Sequence, residues 1–445
     1  MIKRTAKQLA EMSGGTVDER YAEIEVEGVA IDSRHIEGPV LFVPFKGEQT
    51  DGHRFVEQAL HDGAAISFWQ NDVPDAPDVP LIKVDDCLTA LQQLSKTYLT
   101  QVNPTVIGIT GSNGKTTTKD MVASVLSSKF RVKKTIGNYN NEIGLPLTIC
   151  QLEEVTEVSI LEMGMSGFGE IAFLSKLATP DIAVITNIGE SHMRDLGSRE
   201  GIAKAKFEIT EGLEGLFIYD GDEDLLKPLA GSYKGEKQSI GFDAGNQQIL
   251  RDIEQSETAI RFKVGNGETD FKLPMLGLHN VRNAGIAVTI GRYMGLSEAE
   301  INQALSHLEM TGMRMEKIQG PNGALLINDA YNASPTSMKA AIDTIDMMAG
   351  DCYIVLSDVL ELGPDEEMYH RQVGRYFEGK KMTLLATGQA GRFIYEEAAQ
   401  FIPAHYFATK DEIADYLRPK LSDKTKILFK ASRGMKLETI IEALI

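Results

Sequence analysis

Gly111-Ser-Asn-Gly-Lys-Thr-Thr117 stands between an apolar run at 105–110 and a stretch from 115 to about 129. In that stretch Met121, Val122, Val125 and Leu126 recur at the helical period. A strand, a glycine loop and an amphipathic helix in that order leave few folds open. Glycines let successive backbone N–H groups converge on phosphate oxygens, and the helix N-terminus adds partial positive charge. Lys115 is placed to neutralise β and γ oxygens and the Thr116 hydroxyl to ligate Mg²⁺. Gly111, Ser112, Asn113, Gly114, Lys115, Thr116 and Thr117 are therefore expected to hold a nucleoside triphosphate, read as ATP. The usual glycine five residues before Gly114 is replaced by Ile109, so the loop is a shortened variant.

A loop of this kind needs a mostly parallel sheet around it. Strand-like runs at 158–161 and 182–185 supply one, and a hairpin around Gly265-Asn-Gly267 (258–273) adds antiparallel strands. A helix is expected at 281–294. Upstream, 29–31, 40–43 and 64–69 read as strands and 52–61 as a helix, with a linker at 101–104 where Pro104 disfavours helix before it. Downstream of Arg314, strand runs at 324–328, 353–357, 382–387 and 427–430 each precede a helical pattern. Ser334-Pro335 is a helix start, with serine as cap and proline at the first helical position. The expected architecture is α/β in three domains: 1–103, 104–313 and 314–445, the last a Rossmann-like, doubly wound sheet. A length of 445 residues suits about three domains.

In an open α/β sheet, ligands collect beyond the carboxyl ends of the strands. Glu162 ends one strand and His192 follows another, so both fall at the edge that carries the glycine loop. A carboxylate there is a natural Mg²⁺ ligand. Imidazole is an unusual one, and His192 reads equally well as a polar loop residue. Lys204 and Lys206, in Ala203-Lys-Ala-Lys-Phe-Glu-Ile209, read by pattern as a solvated helix face.

The net charge of -19 (45 basic, 64 acidic residues) excludes nucleic acid and anionic membranes as expected partners and favours small-molecule chemistry. Cys87, Cys150 and Cys352 have no metal-ligand spacing and suit a reducing compartment. The N-terminus lacks the apolar core of a signal peptide, and no apolar run is long enough to span a bilayer. A cytoplasmic location without membrane insertion is expected.

Thr110-Gly-Ser-Asn-Gly-Lys-Thr-Thr117, Leu161-Glu-Met-Gly164, Thr186-Asn-Ile-Gly-Glu-Ser-His192, Ala203-Lys-Ala-Lys-Phe-Glu-Ile209, Leu278-His-Asn-Val-Arg-Asn-Ala284 and Ile327-Asn-Asp-Ala-Tyr-Asn332 together resemble, in order, the signatures of the Mur ligases. The likeness extends over nearly the whole chain. Asn138-Tyr-Asn-Asn-Glu-Ile-Gly-Leu-Pro146, Ser357-Asp-Val-Leu-Glu-Leu-Gly363 with His370, and Lys430-Ala-Ser-Arg-Gly-Met435 are similar to the branch that adds a dipeptide. The Asp-Asn-Pro motif of the diaminopimelate-adding branch is absent. So is the glycine-rich Rossmann start of the enzymes that add the first two stem residues. Asp32-Ser-Arg34, Leu41-Phe-Val43 and Asp51-Gly-His53 are similar to a uridine-nucleotide-binding domain.

The resemblance implies an ATP-dependent ligase of the cell-wall precursor, acting as a monomer on UDP-N-acetylmuramoyl-tripeptide and D-alanyl-D-alanine through an acyl phosphate. It implies two Mg²⁺ ions held by Thr116, Glu162, His192 and Lys206, the last carbamylated as in several members. Asn280 and Asn283 fall at adenine-side positions, Arg314 at a phosphate contact, and Asp329 at a ribose or phosphate contact. Ser33, Arg34, Asn140 and Asn141 are expected on the side of the UDP-linked substrate. A folate polyglutamylating ligase would share the central and C-terminal plan but lack the first hundred residues. A nucleotide-regulated switch could use the same loop without ligating anything.

Overall fold

The computed structural model describes residues 1–47, 50–256, 258–308 and 312–445. The chain forms three α/β units, each built on its own main sheet. The first has five short strands in the order Thr16–Val17, Leu81–Val84, Ile66–Gln70, Leu41–Phe42 and Val29–Ala30, parallel except at Thr16–Val17. The expected helix at 52–61 opens as a tight 3₁₀ turn, Gly52–Phe55, before the α-helix Val56–His61. Asp51 accepts the His53 amide at 3.0 Å and caps that turn.

The expected linker at 101–104 is corrected. Gln101 and Val102 complete a helix, Cys87–Val102, and the break comes at Asn103, which adopts a left-handed C-cap (φ 51°) just before Pro104. Cys87, Leu91, Leu94 and Tyr98 lie buried along one face of this helix. They share a core with Leu145, Ile149 and Leu152, and the Tyr98 hydroxyl donates to the Leu152 carbonyl at 2.8 Å. The first unit therefore docks on the second through a common apolar layer.

The central sheet has nine strands. Its parallel part includes Leu216–Asp220, Ile182–Ile185, Thr105–Thr110 and Val158–Glu162 as successive neighbours. Side chains alternate across it. Ile107, Ile109, Val184 and Ile160 face the helices Lys115–Ser127 and Leu278–Tyr293, while Val106, Leu161, Ala183 and Ile185 face the layer shared with the first unit. The predicted hairpin is present as Ile260–Val264 against Phe271–Leu273, with Ile260 opposite Leu273.

The third sheet runs Glu316–Gln319, Leu325–Asn328, Thr425–Lys430, Asp351–Leu356, Thr383–Ala386 and Ala404–Tyr406, parallel but for the first, antiparallel edge strand. Ser334 caps the helix Pro335–Asp346 with a capping box and proline in the first turn, as the dipeptide predicts. No helix among the described residues is long and apolar enough to cross a membrane.

Candidate active site

The glycine loop follows Thr110 and is held by the adjacent strand end. Ser112 N–H donates to Asn187 O at 3.1 Å, Asn113 N–H to Asn187 Oδ1 at 2.9 Å, and the Thr186 hydroxyl to Asn113 O at 2.6 Å. Two glycines are required by this packing. A Cβ on Gly111 (φ 150°) would lie 1.8 Å from Thr186 Oγ1, and one on Gly114 (φ 81°) 2.8 Å from Asn283 Oδ1. Lys115 turns its ammonium back onto Gly111 O at 2.8 Å, and burial holds its pKa below the usual lysine range.

Strand register places Glu162 opposite Ile109, one residue before the loop's approach. Its side chain is buried with both oxygens engaged. Thr116 Oγ1 donates to Oε2 at 2.8 Å and Asn140 Nδ2 to Oε1 at 3.1 Å. Lys119, one helical turn after Thr116 and 1% exposed, lies 3.8 Å from Oε2 and donates to Thr135 O at 2.7 Å. Lys119 was missed by sequence reasoning. Its three-residue offset from Thr116 was the available signal, hidden because a helical lysine ordinarily reads as solvated.

Lys206 overturns the reading of 204 and 206 as one solvated face. Lys204 is exposed, but Lys206 is 2% exposed and lines a cavity together with Lys115, Thr116 and Glu162. Burial, then the neighbouring Lys115 cation, hold its pKa well below the lysine range. His192 sits in a left-handed conformation (φ 65°), with Nδ1 3.4 Å from a Glu361 oxygen of the third unit. Burial, chiefly, and the neighbouring amines of Lys206 and Lys115 push its pKa down to about 4, so it is neutral at pH 7.

The third unit closes over this edge. Arg314 donates to Thr116 Oγ1 at 2.9 Å and stacks on Tyr331, 4.3 Å from the ring centre. Ser334 donates to Asn113 Oδ1 at 3.0 Å, and the Thr336 hydroxyl to Glu190 at 2.7 and 2.9 Å. Asp329 is paired with Lys430 at 2.7 Å. The cavity between the second and third units, about 560 Å³, is lined from both. It brings together Ser112, Asn113, Gly114, Lys115, Thr116, Thr117, Asn140, Asn141, Glu162, His192, Lys206, Asn280, Asn283, Arg314 and Asp329.

Gly111 is not among its lining residues, and neither are Ser33 and Arg34 of the first unit. Arg34 is largely exposed and paired with Asp32 at 2.7 Å. Asn280 donates to Leu276 O at 2.7 Å, leaving its Oδ1 to face Asn283 Nδ2 at 3.5 Å. His279, Tyr331 and Lys430 also line the cavity although no role was expected for them. The pKa of His279 is pushed down to about 4, chiefly by burial.

Mg²⁺ takes hard oxygen donors in near-octahedral geometry and commonly shares them with phosphate and water. Thr116 Oγ1 and Glu162 Oε2, 2.8 Å apart at the loop, fit one such ion. Among the described residues no group of three His, Cys, Asp or Glu side chains could hold a metal. A bare Lys206 amine beside Lys115 offers no oxygen at all.

A glycine loop at a helix N-terminus, a buried carboxylate–hydroxyl pair beside it, and an arginine delivered by a second α/β unit have the chemistry of a phosphoryl-transfer site shared between domains. Family models agree along the chain: "Mur ligase family, catalytic domain" at 25–99, "Mur ligase middle domain" at 109–291 and "Mur ligase, glutamate ligase domain" at 313–433. The chain belongs to the Mur ligase family. Among its relatives is the UDP-N-acetylmuramoyl-tripeptide–D-alanyl-D-alanine ligase of Bacillus subtilis, 49% identical across 100% of this chain and 99% of that protein. The Escherichia coli enzyme of the same name is 32% identical over 100% and 99% of the two chains. Among solved structures, MurF from Acinetobacter baumannii superposes with a TM-score of 0.91 at 30% identity, covering 100% of this chain and 99% of that one. The MurF ligase of Thermotoga maritima in complex with ADP gives 0.84 at 26% identity over 94% and 97%.

Proposed function

We infer that this protein joins D-alanyl-D-alanine to UDP-N-acetylmuramoyl-tripeptide at the expense of ATP, completing the peptide stem of the peptidoglycan precursor. The observation that carries the reading is the cavity in which the loop 111–117 and Arg314 converge beside Glu162. Full-length relatives with that activity support it. We assign residues 1–103 to the UDP-linked substrate, 104–313 to ATP, and 314–445 to closure and the incoming dipeptide. A cytoplasmic monomer suits substrates carried on free nucleotides.

In the first step the tripeptide's terminal carboxylate attacks the γ-phosphorus, the bond to the β–γ bridging oxygen breaks, and ADP leaves. An anion attacking a polyanion requires neutralisation. Lys115, released from Gly111 O, and Arg314, with a buried Nε lacking any hydrogen-bond partner among the described residues, supply it. In the second step the dipeptide amine attacks the acyl carbonyl, phosphate departs, and the nitrogen loses a proton. Acyl phosphates hydrolyse, and the contacts Ser334–Asn113 and Thr336–Glu190 join the third unit to the edge of the site, where closure would exclude water.

Mg²⁺, when bound, supplies positive charge to the transferring phosphoryl group, and Thr116 and Glu162 are the residues that would hold it. Lys206 is suited to a second ion only after carbamylation. A neutral amine attacks CO₂, forms an N–C bond and releases a proton, leaving an oxygen anion. Burial lowers the pKa of Lys206 well below the lysine range and so favours the neutral amine this reaction requires. Asn280 and Asn283 are assigned to the adenine side, Asp329 to the ribose or phosphate, and Ser33, Arg34, Asn140 and Asn141 to the UDP-linked substrate.

Mass spectrometry of products formed from ATP, D-alanyl-D-alanine and each UDP-linked tripeptide tests the reading. A pentapeptide product with stoichiometric ADP is expected. Phosphate release without a new amide bond would refute it.

A further inference from the structure

Arg314 reaches the phosphate loop from a backbone that does not hold itself. Met313 and Met315 on either side both adopt left-handed conformations (φ 59° and 51°). That geometry costs a residue with a β-carbon about 1–2 kcal/mol, so neighbouring contacts must impose it. The Tyr331 amide donates to Met313 O at 3.3 Å, and the Met315 amide donates to Asp329 Oδ1 at 3.2 Å. The Tyr331 ring supports the guanidinium from below at 4.3 Å.

Lys430 stands behind both of these supports. Its ammonium lies 2.7 Å from the other Asp329 oxygen, Oδ2, and donates to the carbonyl of Asn332, next to Tyr331, at 3.1 Å. Its side chain is 6% exposed and comes from the end of the strand Thr425–Lys430. One buried cation thus anchors the carboxylate that grips Met315 and the turn that carries Tyr331.

We propose that Lys430 is a positioning residue that acts through Asp329 and Tyr331 to hold Arg314 on the phosphate loop. The proposal rests on the phosphate role inferred for Arg314. Without Lys430 the Asp329 carboxylate keeps its burial but loses its counterion, turns away from the Met315 amide, and the arginine is displaced. A displacement of about 1 Å at a phosphate contact costs on the order of 100-fold in rate.

A double-mutant cycle in ligation kinetics tests this. Lys430→Met should lower kcat about 100-fold with an unchanged KM for the UDP-linked tripeptide. Arg314→Ala should lower kcat on the order of 1000-fold. The double variant should be no worse than Arg314→Ala alone, because the relay has nothing left to position. Lys430→Arg, which keeps the charge beside Asp329, should recover at least about tenfold of the loss. Should Lys430→Met not fold, Lys430→Gln goes through the same cycle with the same expectation. Losses that multiply in the double variant would overturn the positioning role alone, because Lys430 would then be acting on substrate for itself. An active Arg314→Ala enzyme would overturn the phosphate role and the proposal with it.

Discussion

Replacing Gly111 with alanine should disable the nucleotide site without touching any group that contacts the UDP-linked substrate. The new Cβ would lie 1.8 Å from Thr186 Oγ1, where ordinary contact begins at 3.4 Å, so something must move by about 1.6 Å. Thr186 is poorly placed to yield, since its hydroxyl donates to Asn113 O at 2.6 Å and its amide to Thr110 O at 3.0 Å. Backbone strain at φ 150° adds about 1–3 kcal/mol. The loop gives way, and a shift beyond 1 Å in phosphate-binding groups costs on the order of 100-fold or more. Steady-state kinetics should therefore show kcat/KM for ATP falling by about 100- to 1000-fold, with KM for the UDP-linked tripeptide unchanged. Thr186→Ala alone loses one hydrogen bond, about 1 kcal/mol. Combined with Gly111→Ala it removes the closest clash, leaving the Thr186 Cβ at 3.1 Å, and should recover about tenfold. A Gly111→Ala enzyme within about threefold of the parent would show that the loop need not keep this shape to bind phosphate.

Arg34→Ala should raise the apparent KM for the UDP-linked tripeptide and leave that for ATP unchanged, since Arg34 lies outside the cavity; a loss of ATP affinity would contradict the division of labour between domains. Lys206→Met should abolish ligation yet raise the melting temperature at pH 7. Burial lowers the folded pKa of Lys206 well below its unfolded value of 10.5, so between those two values the unfolded chain binds more protons than the folded one, and at any lower pH the lysine opposes folding in full. The gain should shrink as pH rises from the lowered folded pKa towards 10.5 and be gone above it, and a variant less stable than its parent at pH 7 would refute the sign. Thr336→Val removes the hydroxyl that joins Glu190 across the cleft, at a cost of about 1 kcal/mol or roughly fivefold in the closed state. Small-angle scattering should record a more open average, and an unchanged profile would show that this contact does not hold the cleft.

The glycine loop, the strands at 105–110, 158–161 and 182–185 and the capped helix at Pro335 were legible in the sequence because each rests on local chemistry. Glycine conformations, hydrophobic period and a serine cap act within a few residues. The family resemblance singled out Lys206 where periodicity could not. By pattern it matches Lys204, and the two differ because one points into the cavity and the other into solvent. The helix Cys87–Val102 overran its expected linker because an apolar face docking on the second unit extended it as far as Asn103.

What tertiary structure alone decided is which charges meet. Lys119 under Glu162, Glu361 against His192, and Lys430 on Asp329 join residues separated by tens of positions or more, from different strands, helices or domains. Electrostatic contacts of this kind depend on distance in space and on burial, and sequence separation carries neither. The chain's own order thus specified a glycine loop and the sheets around it, while the packing of the third unit set the charge on Arg314 above Thr116.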